Sequence, residues 1–247
     1  MSDSKFILFD LPSKGKSRCW SYNAWKARLV LNYKEIPYET QWVEYPDIEP
    51  LFKLFGITPN APGSASTPYS IPAVRMPDGR YIMDSVKIAE ALETYQPSPS
   101  LHLTSPRLQQ TQEAVRQTVE ALAPIAKPRV PEMILGSPSS IDYFQRTRAK
   151  RHGMALEELA RSEMAGEAAW ADADGGLAGL RGVLAEDKAG PYIMGAEPGF
   201  ADFVLAGMWR FMQVLDRDGD LFGRLMGFDE CFAGHFAACE KWLERDD

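Results

Sequence analysis

The sequence predicts a small α/β unit followed by a larger all-helical one, on three observations. Of the 18 prolines, 16 lie before residue 139. Proline breaks helix interiors, so residues 139 to 190, rich in Ala, Leu, Glu and Arg, are free to be helical. Short β-like segments alternate with helix faces through the first hundred residues. Between the two regions, Gln96-Pro97-Ser98-Pro99-Ser100 reads as a linker.

Each element follows from local pattern. Phe6-Ile7-Leu8-Phe9, bounded by Lys5 and Asp10, is a short buried strand. Trp25, Leu29 and Tyr33 recur every four residues on a helix face, and Pro37 marks its end. Residues 38–43 alternate and carry β-formers. Ile48, Leu51, Phe52 and Phe55 suggest a short helix ending near Gly56, and residues 59–68 a loop. Residues 73–76 and 80–83 flank Pro77-Asp78-Gly79 as a hairpin. Ser85 can cap the next helix, with Val86, Ile88, Ala89 and Leu92 inward. This order asks for a mixed four-stranded sheet over residues 1–97. Helices are expected over about 107–123, 140–152, 154–187, 200–215 and 229–244 of a second unit, 105–247.

Composition excludes several classes. The 247 residues are 45% hydrophobic and 11% aromatic, ample for a core. A net charge of −7 argues against nucleic acid and anionic membrane as partners. No run approaches the roughly 18 apolar residues of a membrane span, and the start lacks signal-peptide character. Three cysteines (Cys19, Cys231, Cys239) then read as reduced thiols of a cytoplasmic protein.

Common chemical motifs are missing. There is no Gly-x-Gly-x-x-Gly and no P-loop. Asp216-Arg217-Asp218-Gly219-Asp220 fails as a calcium loop, since its twelfth position is Gly227. His102, His152 and His235 lack zinc spacing, so no metal site is expected. Arg146, Arg148, Lys150 and Arg151 spread over more than one helix face and read as solvated.

Three segments of the first unit point to one place. The turn before the first helix holds Ser17, Cys19, Ser21 and Asn23. A helix starting there aims unpaired N–H groups and a positive dipole end at the turn, where an anion is stabilised; simple capping by Ser21 is the competing role. Next comes Tyr69-Ser70-Ile71-Pro72-Ala73, where a proline enters a strand. A cis bond would turn the Ile71 backbone outward toward a peptide-like ligand, and a trans proline at a strand start is equally allowed. Asp84-Ser85 opens the helix after the hairpin. An acid beside a helix start suits a zwitterionic amino-acid end, though capping alone would also explain it.

Ser21-x-x-x-Trp25-Lys26-Ala27-Arg28-Leu29-Val30-Leu31, Ile71-Pro72-Ala73-Val74 and Asp84-Ser85 with Ile88-Ala89, in that order, resemble a cytosolic glutathione S-transferase. Cys19-Trp20-Ser21-Tyr22-Asn23-Ala24-Trp25-Lys26 with Trp42-Val43-Glu44-Tyr45-Pro46-Asp47 is similar to the fungal, etherase-like serine branch. Residues 195–203 resemble the family's capping motif, with Gly199 where Ser or Thr is usual. The resemblance implies a thioredoxin-like first domain, an all-helical second domain and glutathione as co-substrate. It places the activating hydroxyl at Ser21, assisted by Asn23. The cysteinyl backbone would pair at Ile71 before a cis Pro72, with the γ-glutamyl end at Asp84 and Ser85. It further implies an apolar electrophile against the second domain, a homodimer, and a role in detoxification or secondary metabolism. Two alternatives share the fold: a non-catalytic binder of glutathione or apolar ligands, and a cysteine-type thiol transferase using Cys19.

A thiol with a pKa of about 8.5 is only a few per cent ionised at neutral pH. Lowering it by about two units asks roughly 3 kcal/mol of a hydroxyl and a helix terminus together.

Overall fold

The computed structural model describes residues 5–63, 67–187 and 189–247. The centre of the loop expected at 59–68, the first four residues and Lys188 lie outside the described residues. Four strands form one mixed sheet in the order β2-β1-β3-β4. They are β1 (Phe6–Asp10), β2 (Tyr38–Trp42), β3 (Ala73–Arg75) and β4 (Tyr81–Met83). β1 runs parallel to β2, which requires a crossover, and α1 (Tyr22–Tyr33) supplies it. β3 pairs antiparallel with β1 and with β4. The hairpin closes through Gly79, whose φ of +90° suits glycine. A short 3-10 turn (Tyr45–Asp47) leads into α2 (Ile48–Leu54), and α3 (Ser85–Tyr95) follows β4.

Every helix after α3 belongs to the second unit, among the described residues: α4 (Pro106–Ala121), α5 (Ala123–Ala126), α6 (Val130–Met133), α7 (Pro138–His152), α8 (Leu156–Leu159), α9 (Glu167–Ala185), α10 (Phe200–Val214), α11 (Phe222–Phe228) and α12 (Glu230–Leu243). The helix expected over 154–187 is in fact two. Ser162 Oγ donates to the Leu159 carbonyl at 2.8 Å, diverting it from the helical ladder. Gly166 then turns at φ +63° before α9 starts. Residues 124–133 lie outside every helix the sequence predicts, and they carry Pro124, Pro128 and Pro131. Each of these prolines sits in the first turn of a short helical piece, where its missing N–H costs nothing. Asp216 accepts from the Leu221 and Phe222 N–H groups at 2.7 and 2.8 Å, so the acidic loop serves the start of α11.

α10 is the most buried helix and holds the two units together. Phe200, Phe203, Val204, Leu205, Met208 and Trp209 are fully enclosed, and α10 packs on α1, α4 and α12. Its start is fixed by Asp202, which accepts from Gly199 N and Ile193 N, both at 2.8 Å, and lies 3.1 Å from His235 Nε2. Gly199 leaves only the Asp202 half of a reciprocal cap. A Cβ there would sit 3.1 Å from the Leu101 carbonyl, tighter than side chains normally tolerate. Gly207 brings α10 onto the first turn of α1, since a Cβ would lie 2.8 Å from the Tyr22 carbonyl. Gly207→Ala should therefore destabilise the protein. A helix-propensity gain of about 1 kcal/mol is outweighed by overpacking of about 1–3 kcal/mol against backbone that cannot rotate away. Denaturant titration beside wild type checks the sign.

A buried ion pair joins the sheet to α1. Arg28 Nη2 lies 3.0 Å from Asp10 Oδ2, both side chains being fully enclosed. Arg28 also donates to Tyr38 Oη, Thr40 Oγ1 and the Asp247 carbonyl. Cys19 N donates to the Asp246 carbonyl at 2.7 Å, so residues 245–247 brace the turn ahead of α1.

Candidate active site

A cleft of about 540 Å³ opens between the sheet unit and the helical unit. The β1–α1 turn brings Ser21, Tyr22 and Asn23 to it, and the segment before β3 brings Tyr69, Ser70 and Ile71. Helices of the second unit close the other side with Glu120, Lys127, Tyr143, Arg148 and Phe211.

Ser21 is the N-cap of α1, with extended backbone at φ −76° and ψ 125°. Its hydroxyl makes no capping hydrogen bond, so capping does not account for it. The first-turn N–H groups of α1 and this hydroxyl face the same end of the helix, an arrangement that favours an anion. Asn23 Oδ1 accepts from Lys26 Nζ at 2.9 Å. With its oxygen engaged, the Asn23 amide presents its NH2 group as a donor. Burial depresses the Lys26 ammonium to about 8, against the pull of Asp84. Lys26 also lies over the Tyr22 ring at 4.8 Å. Burial raises the Tyr22 phenol and carries Tyr45 to about 12, so both stay neutral.

The Ile71–Pro72 peptide is cis. Neither polar group of the Ile71 backbone bonds to a described residue, and Ile71 lines the cleft. Pro72 is buried and does not line the cleft, and its carbonyl accepts from Asp84 N at 3.3 Å. The N-cap of α3 is Asp84, not Ser85. Asp84 Oδ1 accepts from Val86 N at 2.9 Å and Lys87 N at 3.2 Å, while Ser85 is the first helical residue. Asp84 sits at φ +92°, unusual for a residue with a Cβ and of the kind that collects at functional sites. Asp84 and Ser85 do not line the main cleft.

Cys19, two residues before Ser21, points the other way. It is 2% exposed, and burial beside Asp10 raises its thiol well above the ordinary range. Such a thiol is a poor nucleophile, which weighs against chemistry at Cys19.

Sequence reasoning missed several groups that line the cleft or, like Lys26, stand beside its lining residues. Lys26 falls three residues after Asn23, on one helix face, so its spacing could have found it. Arg148 and Arg151 were read with the solvated basic run. Both line the cleft, Arg148 half-buried and Arg151 exposed, while Arg146 and Lys150 are exposed and do not line it. Arg148 stacks on the Phe144 ring at 4.4 Å, one turn back on α7, and on the Tyr45 ring at 5.3 Å, a contact that needs the tertiary fold. Lys127 reaches the cleft from the proline-punctuated run, over the Phe211 ring at 5.0 Å. No group of three or more His, Cys, Asp or Glu among the described residues is placed to hold a metal ion.

Comparison with known proteins fits this geometry. Residues 20–94 match the glutathione S-transferase N-terminal domain, and residues 108–242 match the glutathione S-transferase C-terminal domain. The glutathione S-transferase-like protein ustS of Aspergillus flavus is 30% identical over 98% of this chain and 92% of its own length. Glutathione transferase GSTFuA2 of Phanerochaete chrysosporium is 31% identical, with a TM-score of 0.83 over 98% of this chain and 99% of that one. A glutathione S-transferase of Ceriporiopsis subvermispora, solved in complex with glutathione, is 29% identical, with a TM-score of 0.82 over 96% and 97% of the two chains. From the thioredoxin-like sheet unit through the helical unit, the chain belongs to the glutathione S-transferase family.

Proposed function

We propose that this enzyme is a serine-type glutathione transferase. The observation that carries the reading is a Ser21 hydroxyl at the mouth of α1 that caps nothing and opens into the cleft beside the unpaired Ile71 backbone. Residues 1–97 act as the glutathione-binding domain and 105–247 as the domain lining the electrophile site. Glutathione lies along the sheet unit. Its cysteinyl amide pairs with Ile71 ahead of cis Pro72, and its γ-glutamyl ammonium meets Asp84, with the carboxylate at the start of α3 beside Ser85. Asp84 Oδ1 is taken by capping, which leaves Oδ2 for the ammonium.

Ser21 donates its O–H to the glutathione sulfur, and the Asn23 amide, oriented by Lys26, is a second donor. Both bonds strengthen when the sulfur is anionic, so both lower the thiol pKa. The thiolate then attacks an electrophilic carbon. A C–S bond forms, the leaving group departs with the bonding pair, and the thiol proton goes to solvent. The aromatic faces of Trp20, Tyr45, Tyr143 and Phe211 suit the apolar body of an aromatic or ether-type electrophile. A cytoplasmic homodimer working in detoxification or secondary metabolism is the setting that fits.

Calorimetric titration with glutathione tests the binding half. Asp84→Asn keeps the capping oxygen and removes the charge, so the fold should survive. Affinity should fall about tenfold, the worth of a charge-assisted bond. Unchanged affinity would remove Asp84 from the site, and no binding by wild type would remove the reading.

A further inference from the structure

Charge in the cleft is segregated. Its sheet-side lining, including Ser21, Ile48, Tyr69 and Ile71, carries no ionisable acid, Lys or Arg. Its helical side carries four cations, Arg116, Lys127, Arg148 and Arg151, against one carboxylate, Glu120. This occurs in a chain with a net charge of −7, so the cations are concentrated rather than sampled from a basic surface. Glu120 is already claimed by Arg116 at 2.6 Å and Arg151 at 3.6 Å. Lys127 and Arg148 have no carboxylate within ion-pairing distance among the described residues. Each instead faces aromatic rings, Lys127 over Phe211 and Arg148 over Phe144 and Tyr45. Burial, with Arg148 and Arg151 nearby, holds the Lys127 ammonium down at about 7, the mark of a cation lacking its counter-charge.

We infer that the second substrate is an aromatic acid, whose ring lies among the cleft aromatics and whose carboxylate is held by Lys127 and Arg148. This deepens the transferase reading and rests on it. The carboxylate belongs to the second substrate rather than to glutathione because every Lys or Arg lining the cleft stands on its helical side, across from the Ile71 backbone, while Lys26 on the sheet side is occupied by Asn23. A guanidinium and an ammonium beside flat rings match a planar arenecarboxylate, and a neutral ligand would leave both uncompensated.

The test is calorimetric titration of glutathione-saturated protein with naphthalene-2-carboxylate and with naphthalene-2-carboxamide, equal in shape and different in charge. The acid should bind about 10- to 100-fold more tightly, the range for a charge-assisted contact in a partly dry site. Lys127→Met and Arg148→Met should each bring that ratio down towards one. A ratio of affinities does not depend on the fraction of protein folded, so a poorly folding variant still reports. Equal affinity for acid and amide in wild type overturns the inference, as does an undiminished ratio in both variants. Displacement of glutathione by the acid also overturns it, since the cations would then serve the tripeptide's own carboxylate. If glutathione fails to bind wild type, the transferase reading falls instead, and the acid–amide comparison still reads the cation cluster.

Discussion

Ser21→Ala is expected to lower kcat/KM by about 10- to 100-fold without unfolding the protein. The lost group is one hydrogen bond to a sulfur anion, and bonds to charged partners are worth about 1.5–3 kcal/mol. Substituting an N-cap serine ordinarily costs about 1 kcal/mol of stability. That cost should be absent here, because the Ser21 side chain makes no capping bond. The substitution therefore separates chemistry from folding, with activity falling while the melting midpoint stays. The α1 dipole and the Asn23 amide remain, so the residual rate should exceed that in solution. The pH profile of kcat/KM should move upward by about one to two units, since a weaker anion site raises the thiol pKa. Equal rates for the two proteins on several electrophiles would refute the role proposed for Ser21.

Asp202→Ala is expected to produce the largest loss of stability, about 3–5 kcal/mol. The carboxylate is fully enclosed and accepts from two backbone N–H groups, with His235 as a third partner. Removing it strands Gly199 N and Ile193 N, each costing about 1–3 kcal/mol when buried without an acceptor. For a chain of this size the melting midpoint should drop on the order of 10 °C. Asp202→Asn should fall between, because its oxygen can serve one donor while its NH2 meets another. Glu167→Ala is the matched control. Its pair with Arg224 is exposed on both sides, and such pairs contribute little. Equal midpoints for Asp202→Ala and Glu167→Ala would show that the α10 cap is not a keystone. Because α10 packs on α1, loss of the cap should also lower glutathione affinity.

Much of this was legible in the residues themselves. Strands and helices of the first unit follow from apolar period and turn chemistry, because each is short and sharply bounded. The exceptions have physical causes. Proline is ambiguous, being both a breaker and a first-turn residue, and the run carrying Lys127 lies outside every helix the sequence predicts. Gly166 and Ser162 interrupt a stretch whose composition alone favours one long helix. Of the candidate site residues, Ser21, Asn23 and Ile71 come together in the cleft. Pro72, Asp84 and Ser85 do not line it. The cations could not be read from sequence. Arg148 over Tyr45 and Lys127 over Phe211 face rings far away in the chain, and a local charge run carries no record of which face the fold will cover.

The central claim is that the Ser21 hydroxyl rests against a sulfur anion at the mouth of α1. Ultraviolet absorbance of the thiolate, followed through a pH titration of the glutathione complex, reads this directly. The account predicts a bound-thiol pKa about two units below the free value of about 8.5 in wild type, rising by a unit or more in Ser21→Ala. A bound thiol titrating at its solution value, or identically in both proteins, would contradict it.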